Sequence, residues 1–99
     1  MDKTKDKITK EKIEKYFRIT QEACDMAKEH INPDKETLAD DFLDMVSRYL
    51  DDSRFFFKHG DYINAFAALN YAHGWLDAGA RSKIFLVKDS SLFTVDDEE

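Results

Sequence analysis

Four polar side chains form a line within an otherwise apolar stretch, Gly60–Arg81. Asn70, His73, Asp77 and Arg81 follow at steps of three, four and four residues, which places them on one side of a helix. His73 and Asp77 would share a proton or supply two metal ligands, with Arg81 holding an anion. Two ligands do not make a zinc site, and the alternative is a half-exposed stripe in which Asp77 pairs with Arg81. We treat the line as a candidate site for a ligand or partner and predict no metal and no cofactor.

The elements that carry these residues follow from hydrophobic spacing, which predicts an all-α fold. We expect an antiparallel up-down-up three-helix bundle over residues 1–88, with helices at about 9–31, 33–58 and 61–85. Asn32 and Pro33 suit the start of the second helix, and the sequence His59-Gly60-Asp61 suits a tight helix-to-helix turn. Residues 89–99 are predicted to form an acidic, flexible tail, in which Leu92, Phe93 and Val95 either dock on the bundle or pair with another chain.

The third helix has too much apolar surface for one packing partner. Its broad apolar side is predicted to carry the following residues: Tyr62, Ala65, Ala68, Leu69, Ala72, Trp75, Leu76 and Gly79, extended by Ala67, Tyr71 and Ala78. Such a helix contacts both other helices or packs against a second copy. Gly74 and Gly79 each cost a helix about 1 kcal/mol relative to Ala, and close packing is the explanation we expect for both.

Composition and charge exclude several classes of function. The net charge is −6, with acidic residues dominating the middle of the chain, which disfavours binding to nucleic acid. The single cysteine, Cys24, cannot form an internal disulfide, and we expect it to be a small buried side chain in a reducing cytoplasm. The charged N-terminus does not resemble a signal peptide, and no apolar run is long enough to span a membrane.

The run GDYINAFAALNYAHGWLDAGAR, preceded by Phe56–Lys58, resembles a family of short archaeal helical proteins known as domain of unknown function 357. The resemblance is strongest from Gly60 to Gly79, weaker over the first two helices, and does not include the tail. It implies a compact helical bundle and an archaeal origin, and it implies no catalytic residues.

A looser resemblance exists to the helical HEPN domains, in which a Gly-Asp-Tyr turn precedes an Ala- and Tyr-rich helix. Many HEPN nucleases use an Arg-x-x-x-x-His motif, and Arg54 and His59 have that spacing. Here the pair precedes the Gly-Asp-Tyr turn, whereas in HEPN domains the motif lies on a later helix. The resemblance therefore implies an RNA-processing enzyme only as an alternative.

These observations lead us to expect a non-enzymatic protein-interaction module that forms a homo-oligomer through the third helix and nearby aromatic residues. Phe55, Tyr71 and Trp75 are the interface candidates, and Phe55 is either an exposed anchor or lies beyond the end of its helix. The alternative is a small enzyme that uses Arg54 and His59, or a metal-assisted site at His73 and Asp77.

Overall fold

Three helices make up the fold of this chain, and the computed structural model describes residues 7–95. Helix α1 spans Lys10–Lys28, a 3-10 turn spans Pro33–Lys35, α2 spans Glu36–Lys58 and α3 spans Tyr62–Arg81. The predicted all-α three-helix fold is confirmed. None of the helices within residues 7–95 is long and apolar enough to cross a membrane.

The helix starts follow the capping residues in the sequence. The Thr9 hydroxyl accepts a hydrogen bond from the Lys12 amide at 3.1 Å and caps α1. The Asn32 side chain accepts from the Asp34 amide at 2.9 Å, with Pro33 in the first position of the 3-10 turn. At the α2–α3 turn, Asp61 accepts from the Asn64 amide at 3.2 Å.

The C-terminal ends of α2 and α3 share one hydrogen-bond pattern. After α2, Gly60 has a φ of 75°, and the Asp61 amide donates to the Phe56 carbonyl at 2.9 Å. After α3, Lys83 has a φ of 64°, and the Ile84 amide donates to the Gly79 carbonyl at 2.8 Å. Both ends are Schellman motifs, in which a residue in the left-handed conformation reverses the chain.

The first and third helices end earlier than the predicted bounds of about 31 and 85. Because the chain reverses at Lys83, Ile84 and Phe85 fold back onto the bundle and are buried. Phe85 then forms an isolated antiparallel bridge with Ile31, which draws Ile31 out of α1 into extended backbone. The Asn32 amide donates to the Ile84 carbonyl at 2.9 Å in the same connection.

Helix α3 lies between the other two helices, which have little contact with each other. Along the antiparallel α2–α3 pair, Tyr49 stacks on Tyr71 and the Phe42 ring meets the Trp75 ring edge-on. The buried Ser53 hydroxyl donates to the Ala65 carbonyl at 2.9 Å. Helix α1 runs parallel to α3, since Tyr16 meets Phe66 near the start of both helices and Ile31 meets Phe85 after their ends.

The packing side of α3 is narrower than the angular placement predicts. Buried residues on α3 are Ala65, Ala68, Leu69, Ala72, Leu76, Gly79 and Ala80. By contrast, Ala67, Tyr71 and Ala78 are exposed, so the predicted packing side is not buried within the chain at these three positions. The reason is that α2 and α1 flank α3 on two sides only, which leaves a third side open to solvent.

The two α3 glycines differ in their surroundings. A Cβ atom at Gly79 would overlap the Phe85 ring and would lie 3.4 Å from the Phe42 ring. A Cβ atom at Gly74 would meet no atom within 4 Å. Close packing within the chain therefore explains Gly79 and does not explain Gly74.

Candidate functional site

His73 joins three separate segments of the chain at the centre of the predicted polar line. Its Nε2 lies 2.7 Å from the carbonyl oxygen of Leu92, and its Nδ1 lies 3.0 Å from the Thr20 hydroxyl on α1. A carbonyl only accepts, so Nε2 carries the proton that it donates to Leu92. In the neutral ring, Nδ1 then accepts from Thr20. Both ring nitrogens are therefore used within the chain.

Asp77 lies one helical turn after His73 and binds the same C-terminal segment, which contains Leu92 and Thr94. Its carboxylate accepts from the Thr94 amide at 2.8 Å and from the Thr94 hydroxyl at 3.1 Å. His73 Nε2 is 3.9 Å from Asp77 Oδ1, so the imidazole and the carboxylate lie side by side. The arrangement suits recognition of a peptide backbone better than proton transfer, because each side chain uses one polar atom on a backbone group and the other on a threonine hydroxyl.

The ends of the polar line remain at the surface. Asn70 and Arg81 are both exposed on α3. Among the ion pairs within residues 7–95, none joins Asp77 to Arg81, because Thr94 takes the Asp77 carboxylate instead. His73 and Asp77 therefore both bind the backbone of residues 92–94, whereas Asn70 and Arg81 do not take part in this contact.

Residues 89–95 form what we call the C-terminal strap, which lies across α3 beside α1. Leu92 is 8% exposed and Phe93 is 2% exposed, so both side chains are part of the core. The sequence leaves open whether Leu92, Phe93 and Val95 dock on the bundle or pair with another chain. In the structure, they dock on the bundle. The expected flexibility of residues 96–99 lies outside the described residues.

A turn at the start of the strap is organised by Asp89. Its carboxylate accepts from the Ser91 amide at 2.9 Å and also accepts from the Ser91 hydroxyl. Both hydrogen bonds from Ser91 lower the pKa of the Asp89 carboxyl, and the one from the hydroxyl has the larger effect. The Leu92 amide donates to the Asp89 carbonyl at 3.1 Å, which completes the turn.

The strap lies on His73 and Asp77 in a groove between α1 and α3, and about 380 Å³ of this groove remains open beside it. Its walls include Tyr16, Ile19, Asn70 and Gly74, and Ser91 borders it on the strap side. The polar line therefore faces a cavity as well as the strap.

Arg54 and His59, the catalytic pair that the HEPN resemblance suggests, contact different parts of the structure. Arg54 turns toward α1, where its guanidinium lies 4.8 Å from the Phe17 ring centre and donates to Gln21 at 3.4 Å. Arg54 also pairs with Asp51 at 2.9 Å. His59 Nδ1 donates to the Phe55 carbonyl at 2.8 Å, at the C-terminal end of α2. The five-residue spacing thus directs the two side chains to different surroundings.

The three interface candidates differ in exposure. Tyr71 is 62% exposed while it stacks on Tyr49. Phe55 is 57% exposed and lies within α2, so the alternative that the helix ends before it is wrong. Trp75 is half-buried against Phe42, and its ring fills space between α2 and α3.

Cys24 is buried in the core, as the sequence predicts. Burial raises the pKa of its thiol, with a smaller opposing effect from the charge of Lys28. Within residues 7–95 there is no cluster of three or more His, Cys, Asp or Glu side chains that would hold a metal ion.

The sequence analysis did not identify Thr20 and Thr94, whose hydroxyl groups bind His73 and Asp77. Thr20 is 2% exposed, and its position on the apolar face of α1 marks a hydroxyl that needs an internal partner. Thr94 gives no such signal, because its contact with Asp77 depends on the path of the strap.

Comparison with known proteins gives one match. Residues 15–85 match the model of the family described as "Protein of unknown function (DUF357)". The matched segment covers most of the three helices and ends at Phe85, before the strap. Searches of curated proteins and of solved structures give no match.

Proposed function

Since the chain belongs to the DUF357 family, whose description names no activity, we propose its function from the geometry: a non-enzymatic module that self-associates through the open side of α3. We call this surface the α3 open face. It consists of Ile63, Asn64, Ala67, Asn70, Tyr71, Gly74 and Ala78.

The observation that carries the proposal is the absence of charge on this face. Over the roughly 22 Å from Ile63 to Ala78, the α3 open face carries no charged side chain. The solvent sides of α1 and α2 are instead rich in Lys, Asp and Glu, as expected for helices that face water. Ile63 is 73% exposed and Tyr71 is 62% exposed, so two large side chains project from an uncharged surface. Large apolar side chains exposed together on an uncharged surface are typical of interaction sites.

Small residues at the centre of the face favour another helix as the occupant. Ala67, Gly74 and Ala78 leave the α3 backbone accessible, and Gly74 has open space above it. A helix from a second copy would approach closely there, with Ile63 and Tyr71 packing beside its backbone. This arrangement also gives a reason for Gly74, which packing within the chain does not explain.

Helix α2 extends the apolar surface on one side. Tyr49 continues it from Tyr71 through the stacked pair, with ring centres 5.2 Å apart. Leu38 is 49% exposed and lies one turn before Phe42, whose ring meets Trp75. In contrast, Phe55 lies on the side of α2 away from α3, so we assign it no part in this contact.

The experiment is a comparison of oligomeric state between two matched variants. Ala67→Glu places a charge on the α3 open face, and Ser47→Glu places the same charge on an exposed position of α2 away from that face. We expect light scattering at micromolar concentrations to give an oligomer for wild type and Ser47→Glu, and a monomer for Ala67→Glu. Circular dichroism of both variants shows whether the fold is kept.

A monomeric wild-type protein across this concentration range would contradict self-association. An oligomer that persists in Ala67→Glu would place the contact elsewhere on the surface. The alternative of an enzyme at Arg54 and His59 has no comparable support, because each side chain already has its own partner. An RNA-cleavage assay of wild type beside His59→Ala tests it directly, and we expect no cleavage by either protein.

A further inference from the structure

The contacts between the polar line and the strap are mostly contacts to backbone atoms. His73 donates to the Leu92 carbonyl at 2.7 Å, and Asp77 accepts from the Thr94 amide at 2.8 Å. A donor and an acceptor on one helix thus bind an acceptor and a donor two residues apart in a segment of turns and bends. Backbone atoms are common to all peptides, so these two contacts do not depend on the strap's sequence.

Two side chains of the strap supply its apolar contacts. Leu92 and Phe93 are buried, whereas Ser91 before them and Thr94 after them are exposed. Thr94 adds one side-chain contact, through its hydroxyl to Asp77. The groove therefore selects a short pattern: two adjacent large apolar residues followed by a residue with a hydroxyl group.

The strap is joined to the helices by a short connection. The last backbone hydrogen bond before it runs from the Leu86 amide to the His30 carbonyl at 2.7 Å. The turn at Asp89 is closed by contacts within the strap itself, from Ser91 and Leu92. The segment that matches the family also ends at Phe85, so the matched helices contain His73 and Asp77 but not the strap. The ring contacts that join α3 to α1 and to α2 involve no residue of the strap.

We propose that the groove between α1 and α3 is a binding site for a short peptide of a partner protein that folds into the same turn as the strap, and that the strap occupies this site as an internal competitor. The partner segment carries two adjacent large apolar residues followed by Thr or Ser, as the strap does. When the partner binds, its backbone takes the contacts of Leu92 and Thr94 with His73 and Asp77.

The test uses the full chain and a labelled peptide with the sequence of residues 88–95. In the double variant Leu92→Ser, Phe93→Ser the strap loses its apolar contacts while the groove keeps all its own residues. Because a tethered competitor acts at an effective concentration in the millimolar range, we expect this variant to bind the peptide at least roughly 10-fold more tightly than wild type. A peptide with Ser at both apolar positions serves as the control ligand and should not bind.

Two further variants locate the binding and separate it from self-association. Adding Asp77→Ala to the released double variant should weaken peptide binding, whereas adding Asp52→Ala, an exposed carboxylate on α2, should not. Adding Ala67→Glu should leave peptide binding unchanged, so this proposal stands or fails independently of the α3 open face. A released variant that is folded by circular dichroism and does not bind the peptide overturns the proposal.

Hydrogen exchange of the wild-type protein decides the question if the released variant does not fold. We expect the Thr94 amide to exchange at least 10-fold faster than the amide of Leu76 inside α3, because the strap opens without unfolding the helices. If both amides exchange at the same slow rate, the groove is vacated only on global unfolding, and the proposal is wrong.

Discussion

The contact between Gly79 and Phe85 gives the most direct test of how this chain packs. Phe85 is fully buried, and a Cβ atom added at Gly79 would overlap its ring. Phe42 lies 3.4 Å from the same point and blocks a second direction of escape. Gly79→Ala therefore forces a shift of a buried aromatic ring or of the helix backbone.

The expected magnitude follows from two opposing effects. Replacing Gly by Ala inside a helix stabilises it by about 1 kcal/mol. Overpacking a buried site costs about 1–3 kcal/mol, so we expect Gly79→Ala to lose about 0–2 kcal/mol. Gly74→Ala is the matched control, because its Cβ atom meets no other atom within 4 Å and the full gain of about 1 kcal/mol remains.

Urea and thermal unfolding of both variants provide the assay. For a chain of this size, 1 kcal/mol changes the melting midpoint by roughly 4–8 °C. We expect Gly74→Ala to melt above wild type and Gly79→Ala to melt at or below it. Gly79→Ala should destabilise the Phe85→Leu variant less than it destabilises wild type, because the smaller Leu side chain no longer fills the space that the new Cβ atom needs. Equal stabilisation by both alanine variants would refute the reasoning.

Three other predictions follow from buried or hydrogen-bonded groups. Ala72→Leu should destabilise the protein by about 1–3 kcal/mol in urea unfolding, because Ala72 is fully buried at the centre of α3, and an unchanged midpoint would contradict that position. The lowered pKa of Asp89 means that its contribution to strap stability is complete above the ordinary aspartate pKa of about 4 and is lost as the pH falls through the lower folded value. The protection factor of the Thr94 amide, which corrects the exchange rate for the intrinsic effect of pH, should therefore fall on acidification in wild type and change less in Asp89→Asn. Cys24 should react with a thiol reagent orders of magnitude more slowly in the native protein than in urea, and its raised pKa should make stability fall as the pH rises above the ordinary cysteine pKa of about 8.5.

The sequence is sufficient to predict the three helices, because capping residues and the glycine in the α2–α3 connection are local signals. Asp61 caps α3 in the position expected from its side-chain chemistry, whereas Asn32 and Pro33 begin the 3-10 turn before α2, so α2 itself starts at Glu36 and later than predicted. Gly60 adopts the left-handed conformation for which glycine is suited. Lys83 adopts the same conformation without any such signal, which is why the predicted third helix runs past its observed end.

The site is harder to predict because its partners are distant in sequence. Spacing alone identifies His73 and Asp77 as neighbours on α3. Their partners, Leu92 and Thr94, depend on a chain reversal at Lys83 and on the route of the strap, neither of which has a periodic pattern. Gly74 and Gly79 are equivalent in the sequence, and only the position of Phe85 distinguishes them.

The central position of α3 also orders the steps of folding. Its contact with α2 through Ser53 and Ala65 closes a separation of 12 residues, whereas its contact with α1 through Thr20 and His73 closes one of 53. Closing the longer loop costs about 1.3 kcal/mol more chain entropy. The α2–α3 hairpin is therefore the faster unit to form, and α1 docks onto it afterwards.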